Sequence, residues 1–233
     1  LSSNDIIREM QEPSQIFVRA KKTGNPQQGV VIVPELKVGV VGCGSFGRNA
    51  YVRNILSYPG ATVSAVCDTV AGRLDQLIDT YFSGDDAPAP PTLCNDHRML
   101  LEGEDVDVVM VGTMADVRPA VSIEAMNGGR HVLAAKPMAP SLPEAEAMIA
   151  AAQKADRLFM VGYNFRFRED AQAMRRFIAD GGIGQPMFAR AWSHEASVPT
   201  WGPHYIKAQS GGGSLASTAV HVIDMAVWFL GSP

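Results

Sequence analysis

The sequence predicts an α/β fold, with a doubly wound parallel sheet followed by the start of a second α+β domain whose open sheet is incomplete in this chain. Three observations carry that expectation. Short Val-rich apolar runs alternate with helix-like segments from residue 36 to about 162. The first run leads straight into Gly42-Cys43-Gly44-Ser45-Phe46-Gly47, then a helix, a second run and Asp68. Beyond residue 162 the alternation stops.

Leu36–Val41 reads as a buried parallel strand, Asn49–Ser57 as a helix and Thr62–Cys67 as the next strand. Within this βαβ unit Gly42 permits the tight turn and Gly44 lets a pyrophosphate approach the backbone. Gly47 lets helix and strand pack closely, and Ser45 and Phe46 complete the cradle. The helix N-terminus offers N–H groups and a positive dipole end to phosphates. Asp68 stands 21 residues after Gly47, where a carboxylate can accept bonds from the adenosine ribose hydroxyls. That points to NAD, and nearby Arg73 keeps NADP open.

The remaining elements come in order along the chain. Ala71–Phe82 carries Leu74, Leu77, Ile78 and Tyr81 at helical spacing, and Ser83–Thr92 is a loop. Asp96–Glu102 is a short helix, Val106–Val111 a buried strand, and Arg118–Gly128 a helix stopped by glycines. His131–Ala135 is a strand ending at Lys136-Pro137. Ser141 caps a helix over Leu142–Ala155, with Glu144 completing a capping box. Leu158–Gly162 is the last strand of a Rossmann-type sheet. The chain therefore divides into an extension at 1–35, a dinucleotide-binding domain at 36–162 and a partial domain at 163–233. The last part holds an amphipathic helix at Glu169–Asp180, a long strand at Gln185–Glu195 and an irregular stretch at Ser197–Gln209. A final helix runs over Leu215–Leu230. A lone strand is not stable, so its partners are expected in further sequence or in another subunit of a homo-oligomer.

Composition narrows the function classes. Apolar residues make up 46% and charged residues 19%, enough for a sizeable core. The net charge of −4 comes without a basic block, so neither nucleic acid nor an anionic membrane is an expected partner. No apolar run is long enough to span a bilayer, and no signal peptide is visible. Three cysteines without metal spacing read as free thiols, which fits a cytoplasmic protein with no metal site.

Several ordered motifs resemble the glucose–fructose oxidoreductase, inositol dehydrogenase and MocA family, over about residues 36 to 233. They are the Gly42–Gly47 loop, Val111-Gly112-Thr113, Gly129–Leu133 leading to Ala135-Lys136-Pro137, Val161-Gly162-Tyr163-Asn164, and Gly211-Gly212-Gly213 with His221-Val222-Ile223-Asp224. The resemblance implies NAD- or NADP-dependent hydride transfer to or from a sugar, cyclitol or related polyol. It implies cofactor contacts from Thr113, Met114, Lys136 and Asn164. Tyr163, Arg166, Trp201, Ser217 and His221 would line the substrate. Lys136, at a strand's carboxyl end, is the candidate to hold the substrate oxygen and share its proton, with His221 assisting. The chain departs from the family pattern at Ala135, where Glu is common, and at Ser217, where Asp is common. It departs again at Met114 and Arg118, where the pattern has Pro and then His. These departures keep open a second reading, a non-catalytic dinucleotide-binding sensor, scaffold or assembly subunit that kept the fold.

Overall fold

The computed structural model describes residues 35–103, 105–194, 206 and 212–231. They fall into two units, one of residues 35–163 with the described part of 193–220, the other of residues 164–192 with 221–231. Except for Glu35, the expected N-terminal extension lies outside the described residues, as do Trp201 and nearly all of Ser197–Gln209.

The larger unit holds six parallel strands: β1 (Leu36–Val41), β2 (Ala61–Cys67), β3 (Thr92–Cys94), β4 (Val108–Val111), β5 (His131–Ala134) and β6 (Phe159–Val161). Their order is β3-β2-β1-β4-β5-β6. The connection reverses between β1 and β4, and open α/β sheets bind ligands outside the carboxyl ends at such a point. The strands are apolar on both faces because helices cover both. Val38, Val40, Val63 and Val66 point to one layer, where they pack with Val52, Ile55, Leu74 and Leu77. Those helical residues belong to α1, a π-helical turn Gly47–Val52 running into Arg53–Leu56, and to α2 (Ala71–Tyr81). Val41, Ala65, Cys67, Val109, Val111 and Val132 point to the other layer. There they meet α3 (His97–Glu102), α4 (Arg118–Asn127) and α5 (Leu142–Ala155) through Leu100, Val121, Ala125, Met126 and Met148. Each fully buried Val or Leu in these layers contributes about 1.5–3 kcal/mol.

A register shift sets the edge. Val38 pairs with Val63 but Gly39 pairs with Ala65, so Ser64 is the extra residue of a bulge, and its hydroxyl donates to the Val38 carbonyl at 3.3 Å. After the bulge Val41 stands opposite Cys67, which brings Asp68 beside the glycine loop.

The structure departs from the sequence expectations in three places. Thr92–Cys94, where the sequence shows only a loop end and no element, is a strand pairing with Ala65–Cys67. Three residues are too few to show a period, and tertiary pairing made the element. Ser141 does precede α5, but its hydroxyl donates to Glu144 at 2.5 Å and caps no backbone amide, so the two side chains bond each other in place of the capping box. Gln185–Glu195 is not a strand: residues 186–194 have no regular structure, and Met187, Phe188 and Trp192 stand exposed. A strand needs a ladder partner, and none lies beside this segment among the described residues.

The smaller unit contains α6 (Glu169–Ala179) and most of α7, a π-helical stretch Leu215–Ala219 leading into Val220–Leu230. A 3₁₀ turn, Asn164–Phe167, precedes α6.

Candidate functional site

The glycine loop is built by close backbone contact. Gly42 has φ +91°, and a Cβ there would lie 2.8 Å from the Gly112 carbonyl carbon. A Cβ on Gly47 would sit 1.8 Å from the Gly42 carbonyl oxygen, so no side chain fits. A Cβ on Gly44 meets nothing within 4 Å: its freedom from a side chain serves no packing purpose inside the chain. That is the pattern expected of a loop whose middle glycine admits a phosphate. Ser45 and Phe46 are exposed beside it, with Phe46 edge-on to Tyr51 at 5.1 Å. Arg48, second residue of α1, donates its N–H to the Gly44 carbonyl at 3.0 Å, so the loop runs directly into the helix N-terminus, the end that favours an anion.

Asp68 has a second task that its position in the sequence does not reveal. It is 5% exposed. One carboxylate oxygen accepts from Cys43 N–H at 2.8 Å and the other from Val70 N–H at 2.9 Å. Arg73 reaches both, at 3.3 and 3.4 Å. The carboxylate therefore ties the loop to β2 and pairs with a half-exposed guanidinium.

Thr113 and Met114 follow β4, with Met114 exposed and the Thr113 hydroxyl buried without a partner among the described residues. Lys136 follows β5 and donates to the Ser217 carbonyl. The structure thus brings Lys136 and Ser217 together through the backbone of residue 217. The cysteines Cys43, Cys67 and Cys94 are all buried free thiols, and burial pushes Cys43 and Cys67 up to about 12.

In the smaller unit the imidazole of His221 stacks on Phe165, with ring centroids 4.5 Å apart and planes at 20°. Arg166 is bound to Asp224 by two hydrogen bonds, Nε to Oδ2 at 2.8 Å and Nη2 to Oδ1, and lies over the Trp228 ring. The expected substrate role of Arg166 must reckon with this pairing, which already engages its guanidinium. Asn164 begins the 3₁₀ turn and is exposed; Tyr163, which ends the first segment of the larger unit, donates its N–H to the Val161 carbonyl. Trp201 lies outside the described residues.

Two residues carry more than sequence reasoning assigns to them. In the sequence Asp224 is a motif position without a role; in the structure it is the partner of Arg166. Arg118 stands in the sequence only as a departure from a pattern, yet it is 4% exposed and donates to the carbonyls of Thr113 and Pro137. A signal existed, since Arg118 shares the helical face of Val121, Ser122, Ala125 and Met126, all buried. Among the described residues no group of His, Cys, Asp and Glu could hold a metal ion, and no helix is long and apolar enough to cross a membrane.

Comparison with known proteins agrees with this geometry. Residues 36–163 match the family model for an oxidoreductase family with a NAD-binding Rossmann fold. Residues 171–233 match the GFO/IDH/MocA C-terminal domain. The chain is 30% identical over 197 residues to inositol 2-dehydrogenase of Salmonella typhimurium, covering 84% of this chain and 54% of that protein. It is 25% identical to D-glucoside 3-dehydrogenase of Escherichia coli, covering 85% and 55%. An oxidoreductase domain protein from Kribbella flavida has a solved structure similar to this one, with a TM-score of 0.71 at 27% identity, covering 85% of this chain and 54% of that one. The chain spans about half the length of the relatives it matches.

Proposed function

The chain belongs to the GFO/IDH/MocA oxidoreductase family, whose N-terminal part is a NAD-binding Rossmann fold, and from that premise we propose that it is a NAD(P)-dependent dehydrogenase or reductase of a sugar, cyclitol or related polyol. The observation that carries the cofactor half is Gly44, open on its Cβ side between two glycines that packing requires. The chemistry of the relatives named inositol 2-dehydrogenase and D-glucoside 3-dehydrogenase supports the substrate half.

The residues present suit the dinucleotide. Gly42, Gly44, Ser45, Phe46 and Gly47 would hold the diphosphate, and Asp68 with Arg73 the adenosine end. Thr113, Met114, Lys136 and Asn164 would bound the other half. A bound nicotinamide accepts or supplies the hydride. Lys136 does the chain's own chemistry: its Nζ holds the substrate oxygen and takes or returns the hydroxyl proton. His221, steadied by the Phe165 ring, assists in proton transfer, while Tyr163, Arg166, Trp201 and Ser217 shape the substrate side. Exposed Met187, Phe188 and Trp192 support assembly, as a homo-oligomer or with further sequence covering them. Three buried free thiols suit a reducing cytoplasm.

The test is a panel of polyols, cyclitols and their keto forms, each offered with NAD or NADP and followed by nicotinamide absorbance. Turnover of a sugar-like compound supports the reading. Tight cofactor binding with no turnover across the panel would put a non-catalytic binding role first, in line with Ala135 and Ser217 at the two family carboxylate positions.

A further inference from the structure

Arg118 opens α4 beneath the carboxyl edge of the sheet. Its Nη2 donates to the carbonyl of Thr113, just past β4, and its Nη1 to that of Pro137, just past β5 and next to Lys136. Among the described residues no carboxylate pairs with it, and its Nε has no partner. Two more buried polar atoms nearby, the Tyr51 hydroxyl and the Thr113 hydroxyl, lack partners among the described residues. Tyr51 packs within 3.4 Å of the Cβ position at Gly112, the residue before Thr113. Burial pushes the guanidinium down to about 10, which still leaves it charged at neutral pH. Each Nη has one carbonyl, Nε has none among the described residues, and the exposed Asp116 carboxylate favours the charge without pairing with it; a buried cation with no direct counter-ion is costly to a fold. A water could satisfy the loose polar atoms without supplying a counter-charge.

The position of this charge gives it a consequence. A doubly wound sheet takes one mononucleotide on each half, and Asp68, at the end of β2, marks the adenosine half. The strands whose ends Arg118 bridges, β4 and β5, form the other half. An oxidised nicotinamide ring carries a positive charge, and a reduced ring carries none. A buried cation under that half repels the first and spares the second, and low dielectric strengthens the effect. We propose that Arg118 is a positioning residue whose buried charge, held under the loops after β4 and β5, makes this site bind reduced dinucleotide in preference to oxidised. The proposal rests on the cofactor reading above.

The experiment measures Kd for NADH and for NAD+ by calorimetric titration of the chain and of Arg118→Met, Arg118→Gln and Arg118→Lys. The expected result is tighter binding of NADH by the unmutated chain. The ratio Kd(NAD+)/Kd(NADH) should fall about tenfold in the neutral variants and persist in Arg118→Lys. A merely structural role weakens both cofactors alike, so an unchanged ratio in a folded neutral variant overturns the proposal while leaving the cofactor reading intact. Equal affinity for NAD+ and NADH in the unmutated chain overturns it without recourse to any variant. Failure to bind either cofactor overturns both readings together.

Discussion

The carboxylate of Asp68, at the end of β2, accepts the backbone N–H of Cys43 at 2.8 Å, in the middle of the glycine loop. The acid that the proposed function assigns to the adenosine ribose is therefore also a brace for the glycine loop. Asp68→Ala removes two backbone hydrogen bonds and the partner of Arg73. It should lower stability by about 2–3 kcal/mol, read from a denaturant titration, and weaken NAD(H) more than NADP(H), because both lose the braced loop while only NADP(H) is relieved of repulsion at its 2′-phosphate. In the unmutated chain NAD(H) should bind at least about tenfold more tightly than NADP(H), since Asp68 disfavours a 2′-phosphate and already engages Arg73. Calorimetry with both cofactors checks this; equal or tighter NADP(H) binding would mean that Arg73 leaves the carboxylate for the phosphate.

The glycines separate binding from folding. Gly47→Ala forces a methyl to 1.8 Å from the Gly42 oxygen and should cost about 3 kcal/mol or more, or abolish folding. Gly44→Ala meets no neighbour, so its melting temperature should stay within a degree or two of the parent. Its NADH affinity should still drop at least about tenfold, because the methyl stands where a phosphate approaches. Equal losses of stability at the two positions would sink this division of roles.

Burial holds the Cys43 and Cys67 thiols at about 12 from an ordinary value of 9.0. Between those values the unfolded chain has released the thiol protons while the folded chain keeps them, so stability is intact below about pH 9 and falls as pH rises toward 12. The slope approaches about 1.4 kcal/mol per pH unit for each thiol. Denaturant titrations from pH 8 to 11 should record the decline, and substitution of either cysteine by Ala should flatten it. Native-state labelling with a thiol reagent at neutral pH should be slow at all three cysteines, which are buried.

The sheet was legible because its strands are buried on both faces and so declare themselves as continuous Val-rich runs, as in Leu36–Val41 and Val108–Val111. Thr92–Cys94 was not, because its existence depends on β2 beside it and three residues carry no period of their own. Gln185–Glu195 failed for the converse reason: local strand propensity is present, but no ladder partner accompanies it among the described residues. The close-packed turn at Gly42 and Gly47 was readable from the spacing, as was the end of β2 at Asp68. The brace that Asp68 gives Cys43 was not, since it depends on the Ser64 bulge that aligns Cys67 with Val41. Arg118 was hidden because a charge is assumed to face solvent, whereas here two strand-end carbonyls receive it.

Lys136 supplies the sharpest test of the chemistry. Its ammonium donates to the Ser217 carbonyl, which fixes the Nζ after β5 before any substrate arrives. If Nζ shares the substrate proton, Lys136→Ala should lower kcat by about a hundredfold or more while the Kd for NADH moves only a few-fold. Lys136→Arg keeps the charge but cannot release a proton near neutral pH, so it should preserve cofactor affinity and still lose most of the rate. A purely electrostatic role predicts the opposite, with Arg largely active. Ser217→Asp brings a carboxylate to the residue that already holds Lys136; an opposite charge favours the ammonium and should move the pH–rate profile of the lysine upward. His221→Ala should cost less than Lys136→Ala, because an assisting group loses part of the proton transfer and the lysine loses its centre. Equal losses at the two positions would make His221 a full partner in the proton step. A rate untouched by Lys136→Ala would remove the lysine from the chemistry.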